Sequence, residues 1–229
     1  MAQFHRTKID DDFYPHLTKG ARLVGEPGIP ALLQLDNVSI PRDLIPFDKA
    51  RTTTSSAQRR AYVHFYMHDR RFSKIITDTD KYIPLLQQFD GVITPDPTIL
   101  DGQAPCLQQT NTYFNRAVGF YLQRHGIPVI PNVRWGDKAT YSFCFLGVPE
   151  GGIVSVGTHG CMKSNRDQES FYNGLTEMIR RLAPTDVLVH GKMPKKVFGD
   201  FEGATCFHRY ASWFERTHAG RDEGDGAWV

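Results

Sequence analysis

The feature that most constrains this chain is a rhythm. From Ala61 onward, apolar runs of strand length alternate with amphipathic stretches of helix length. The runs are Tyr62 to Met67, Gly91 to Thr94, Pro128 to Val133, Ile153 to Gly157 and Val187 to His190, each flanked by glycine, proline or aspartate. Between them, Phe72 to Phe89 carries Phe72, Ile75, Ile76, Tyr82, Leu85, Leu86 and Phe89 at helical spacing, with Pro84 expected to kink it or begin its second half. Thr110 to His125 presents one broad apolar face and stops at Gly126; Asp167 to Leu182 repeats the arrangement before Pro184.

Helices between nearly all-apolar strands imply right-handed crossovers and a parallel sheet covered on both faces, so the class is α/β. Counting Ala31 to Leu35 gives six parallel strands, with weaker candidates at Tyr141 to Leu146 and Ala204 to Tyr210. That number fits a small or incomplete barrel of the triose-phosphate-isomerase kind; an open doubly wound sheet is the alternative. Residues 1–60, punctuated by Pro15, Pro27, Pro30, Pro41 and Pro46, read as an irregular N-terminal extension contributing one strand. Residues 61–215 form the α/β domain, and 216–229 are expected to be a mobile tail, making one globular domain in total.

Composition enters as a set of exclusions. No window approaches 18 consecutive apolar residues, so no membrane span is expected. The first dozen residues lack an apolar core, which predicts no secretory signal and makes the cytoplasm the default. Four cysteines without a C-x-x-C pair indicate reduced thiols. With 27 basic against 25 acidic side chains, the net charge of +2 gives weak attraction to nucleic acid, and the basic pairs are scattered.

Several blocks together resemble a known family. Val63 to Phe72, Val92 to Asp96, Asn111 to Arg116, the Ile-Pro-x-x-x-Trp region within Gly126 to Trp135, Phe143 to Pro149, Val154 to Gly160, Phe171 to Leu175 and Val187 to Gly191 follow in the order of the bacterial and phage family called domain of unknown function 4417. The resemblance spans about residues 25–210 and implies a protein of phages and mobile elements without an agreed activity. One position departs: Leu146 stands where the family pattern leads us to expect aspartate, which weakens any role for a carboxylate there.

In parallel α/β sheets ligands bind beyond the carboxyl ends of the strands. That rule selects Asp69 and Asp96 as catalytic candidates for general acid–base work, a pair that would also suit glycosyl chemistry or a divalent cation. It selects Asn132, Arg134 and Trp135, Thr158, His159 and Lys163, and His190 as ligand-binding candidates, with Asn115 and Arg116 from the helix beside them. Arg134 and Lys163 would hold anions while Trp135 stacks on a ring. Each has a plainer reading: a helix cap or turn for the aspartates, a strand-to-helix turn for Gly157 to Gly160, core for Trp135, and an N-cap and solvated face for Asn115 and Arg116. His159, Cys161, His190, Cys206 and His208 match no zinc pattern, and no metal site is assigned. Neither glycine-rich nucleotide signature occurs, so no nucleotide cofactor is implied.

Two functions remain open. One is a hydrolase or lyase acting on a small anionic, sugar- or nucleotide-containing ligand; the other is a binding protein that sequesters a ligand or contacts a host protein or nucleic acid without turnover. The oligomeric state is not legible.

Overall fold

The computed structural model describes residues 14–34, 38–212 and 215–216, so the expected tail lies outside the described residues except for Arg216. The chain begins with a 3₁₀ turn, Pro15–Thr18, and a short antiparallel ladder of β1 (Leu23–Val24) and β2 (Ile29–Pro30). Then β3 (Leu44–Pro46), α1 (Phe47–Ala50), β4 (Tyr62–His64), α2 (Lys74–Thr77), α3 (Thr79–Leu86), β5 (Gly91–Ile93), α4 (Pro105–Arg124) and β6 (Val129–Ile130) build the first half. The second half is β7 (Ile153–Gly157), α5 (Asn165–Leu182), β8 (Asp186–His190), α6 (Lys195–Phe198) and β9 (Cys206–Tyr210).

Strands β3 to β6 pair in chain order as one parallel sheet, and β7 to β9 as another. An isolated parallel bridge, Asn132 to Ser155, joins them: Ser155 N–H donates to the Pro131 carbonyl and Val133 N–H to the Ser155 carbonyl, both at 2.8 Å. Among the described residues no ladder links β9 to β3, so no closed barrel forms. Side chains tie that edge instead. The Tyr210 hydroxyl donates to the Pro41 carbonyl at 2.6 Å, and Arg216 pairs with Asp43 and donates to the Leu44 carbonyl, each at 2.7 Å.

Successive strand residues point to opposite faces, and that alternation sorts the core into three parts. Val63, Val92 and Val129 face outward and pack with Ile75, Leu86, Ala117 and Leu122 of the helices. Val154, Val156, Val187 and Val189 do the same with Phe171, Leu175 and Met178. Leu44, Tyr62, Ile93, Ile130 and Leu188 face inward from both sheets, with Ile153 and Tyr210 packed against them. Two residues further along the same inner faces come His64, Asn132 and His190, so the interior turns polar at the carboxyl ends.

Helix ends follow local chemistry. Ser164 and Asp167 make a reciprocal capping box at the start of α5, each side chain accepting from the other's backbone N–H at 3.1 Å. Helix α4 starts with Pro105 in its first turn, where a missing N–H costs nothing, and Gly126 follows it at φ 74°.

Three expectations need correction. Residues 31–34 are not a strand; the strand that the N-terminal segment adds to the parallel sheet is β3, which follows Pro41 and ends on Pro46, prolines that hid it. Tyr141 to Leu146 is not a strand either, because Asp137 accepts from Ala139 N–H and caps a 3₁₀ helix, Lys138–Ser142. The stretch from Phe72 breaks at Asp78 (φ −133°, ψ 41°), and Pro84 sits inside α3.

Candidate functional site

A cleft of about 290 Å³ opens at the carboxyl ends of β5, β6 and β7. Its polar side holds Asp96, Arg134 and His159, and its apolar side Ile99, Trp135 and Phe171. Asp96 is 7% exposed and both its oxygens are engaged: Oδ1 accepts from Asn132 Nδ2 and Oδ2 from Arg134 Nη1, each at 2.7 Å. The charge of Asp96 raises the Arg134 pKa, so the guanidinium stays ionised. Trp135 packs on Phe171 with ring centroids 5.0 Å apart and reaches α5 at Gly174, where an added Cβ would fall 2.0 Å from the indole nitrogen. Only glycine admits the ring there.

The other candidates occupy different shells of the same end. Asp69 does not cap its own turn; its carboxylate accepts from Thr98 N–H at 3.2 Å and from the Thr98 hydroxyl at 2.8 Å, fixing the loop that carries Asp96. Asn115 donates to the Pro95 carbonyl at 2.6 Å and the Asn132 carbonyl at 3.1 Å. Arg116 is 1% exposed and donates to the carbonyls of Leu146 (3.1 Å), Asn132 (3.0 Å) and Cys144 (2.9 Å), and to the Asn115 side chain. Burial lowers its pKa to about 10, so it remains charged at neutral pH inside a cage of carbonyls. Leu146 therefore contributes its carbonyl to that cage, and its side chain lies over Gly25. Thr158 is buried, its N–H donating to the His190 carbonyl at 3.0 Å. His159 is exposed on the cleft rim, whereas Lys163 is exposed outside the lining.

Beneath the cleft lies a polar layer of His64, Tyr66, Asn132, Ser155 and His190, of which the strand-end rule picks out Asn132 and His190. His64 and His190 meet with ring centroids 4.5 Å apart, and Tyr66 stacks on His190 at 4.6 Å and 14°. The Tyr66 hydroxyl bonds Asn132 Oδ1 at 3.0 Å and Ser155 Oγ at 2.6 Å. Burial, the neighbouring His190 and Arg216 hold His64 well below the usual imidazole pKa. Burial and Arg216 bring His190 down to about 4, and burial pushes the Tyr66 phenol well above its ordinary value. Extending the period of two from Tyr62 and Leu188 would have found both histidines.

Among the described residues, no three His, Cys, Asp or Glu side chains come together to hold a metal ion. No helix among them is long and apolar enough to cross a membrane. A second cavity, about 360 Å³, opens at the opposite amino ends, lined by Val129, Ile153 and Asp186 among others; there Asp186 is already paired with His208 Nε2 at 2.7 Å.

Known proteins can now be set beside this geometry. The chain is 32% identical over 154 residues to the Gene 1 protein of Mycobacterium phage L5, covering 67% of each, and 30% identical over 154 residues to the Gene 1 protein of Mycobacterium phage D29, covering 67% of this chain and 57% of that one. No solved structure matches it. The family model described as domain of unknown function (DUF4417) matches residues 21–211, which takes in every strand and helix named above, and the chain belongs to that family.

Proposed function

We propose that the protein binds a hydroxyl-bearing ring ligand of sugar or nucleoside type in the cleft, and acts on it as a hydrolase or lyase with Asp96 as the acid–base group. The observation that carries this reading is the Asp96–Arg134 pair facing an aromatic side formed by Trp135 and Phe171. A carboxylate and a guanidinium together accept from and donate to vicinal hydroxyls, while an indole covers the apolar face of a ring. Charge refines the choice of ligand. Asp96, Asp101 and Asp167 line the cleft against Arg134 alone among lysines and arginines, so the lining favours a neutral ligand over a strongly anionic one. Asp69 then serves as the support that positions the Asp96 loop through Thr98.

The test uses protein carrying Trp213→Phe and Trp228→Phe, so that Trp135 reports alone. Nucleosides and free sugars are titrated by fluorescence, and products are followed by chromatography. Saturable quenching with product formation that Asp96→Asn abolishes, at unchanged thermal midpoint, is the expected result. Quenching without product turns the reading to sequestration; no quenching by any compound removes it.

A further inference from the structure

Three nitrogens in the polar layer have no hydrogen-bond partner among the described residues: His64 Nε2, His190 Nδ1 and His190 Nε2. Both residues are almost wholly buried, at 1% and 3% exposure. Buried polar groups in folded proteins are nearly always paired, so two adjacent imidazoles with three unpaired nitrogens need a physical reason. The backbone supplies half of the chemistry. His64 Nδ1 lies 3.2 Å from the Tyr66 backbone nitrogen and accepts its N–H, which assigns the ring proton of neutral His64 to Nε2. Neutral His190 offers one donor and one acceptor whichever tautomer it takes.

A hydroxyl group fits two of the three nitrogens, because it accepts from His64 Nε2–H while donating to the unprotonated nitrogen of His190. An ammonium has nothing to accept with, and a carboxylate has nothing to donate. Tyr66 links the pair to the cleft lining. Tyr66 is only partly buried, whereas the two histidines beneath it are almost sealed. Its ring lies against Gly157, a cleft residue whose added Cβ would sit 2.8 Å from the ring. Tyr66 thus lies between Gly157 of the cleft lining and His190, on which its ring stacks, and its hydroxyl is held by Asn132 and Ser155.

We propose that His64 and His190 form an interior subsite for a hydroxyl group of the cleft ligand, reached when Tyr66 swings aside. The inference rests on reading the cleft as a sugar or nucleoside site, and it adds the residues that recognise one of the hydroxyls.

The experiment is a D-ribose titration of the full chain labelled with ¹⁵N-histidine, read by side-chain NMR, with Trp135 emission followed in parallel in the single-tryptophan protein. The expected result is saturable movement of the His64 and His190 ring signals with the midpoint of the Trp135 response, while exposed His125 stays put. His190→Phe should weaken ribose by about tenfold, the loss of one hydrogen-bonded contact, and Tyr66→Ala should speed carbethoxylation of both histidines in a way that ribose slows. Trp135 quenching without movement of the two histidines overturns the subsite and leaves the cleft reading standing. Movement of the histidines without quenching removes the cleft reading and overturns the subsite as part of it. Silence from both probes overturns both.

Discussion

Asp96 and Arg134 in the cleft pair with one another at 2.7 Å, and Asn132 holds Asp96 from behind, whereas His64 and His190 in the layer beneath lie with ring centroids 4.5 Å apart and three nitrogens without a partner among the described residues. The two regions lie at the same carboxyl end but on different strands, β5 and β6 for the first and β4 and β8 for the second, and one residue joins them: Asn132 donates to Asp96 and accepts from Tyr66. The cleft pair is held in place by the protein and meets a ligand with its remaining hydrogen-bonding capacity, whereas the imidazoles beneath have nitrogens with no partner among the described residues; Arg116, enclosed by carbonyls, serves the frame alone.

That contrast can be broken in order of effect. Arg116→Met leaves the carbonyls of Cys144 and Leu146 without this donor and that of Asn132 with Asn115 alone, and should cost roughly 3–5 kcal/mol in urea unfolding. Exposed Lys163→Met should cost under about 0.5 kcal/mol. Equal losses from the two would show that Arg116 does not brace the frame.

The histidines give the next effect, through pH. Folding lowers the His190 pKa from 6.5 to about 4, so at acid pH the unfolded chain binds the proton that the folded one refuses. Stability is complete above about pH 6.5 and falls as pH drops toward 4, by about 3 kcal/mol from this residue, with His64 acting in the same direction. His190→Phe should flatten that slope in equilibrium unfolding; an unchanged slope would place the histidines in water.

Smaller effects sharpen the cleft. Gly174→Ala gains up to about 1 kcal/mol of helix propensity but drives a methyl into Trp135, for a net loss of about 1 kcal/mol, together with a shift of the Trp135 emission maximum. Asp69→Ala removes the two Thr98 contacts and should cost about 1 kcal/mol by thermal melting, with ligand binding weakened through the loosened Asp96 loop. Unaltered binding in that variant would detach Asp69 from the site.

Much of this was readable from the chain alone, because long amphipathic helices and glycine-bounded apolar runs announce themselves. Helices α4 and α5 and strands β4, β5, β7 and β8 lie within or near their expected limits. Strand β3 was not readable: three residues between prolines carry no periodic signal, and only pairing with β4 makes them a strand. Trp135 needed Gly174, 39 residues away in sequence, before its place against α5 could be known. Arg116 looked like a rim cation because its type and helix position say nothing about the three carbonyls that enclose it. The histidine layer was present in the alternation of Tyr62 with His64 and of Leu188 with His190, but only the meeting of β4 and β8 across the interior makes it a pair.

The most direct test of the account is amide chemical-shift mapping of the protein titrated with D-ribose and with adenosine. The account predicts perturbations concentrated at Asp96, Ile99, Arg134, Trp135 and Gly157 to Cys161, around the carboxyl-end cleft. Perturbations confined to Leu33, Val129, Ile153 and Asp186, around the cavity at the amino ends, would contradict it.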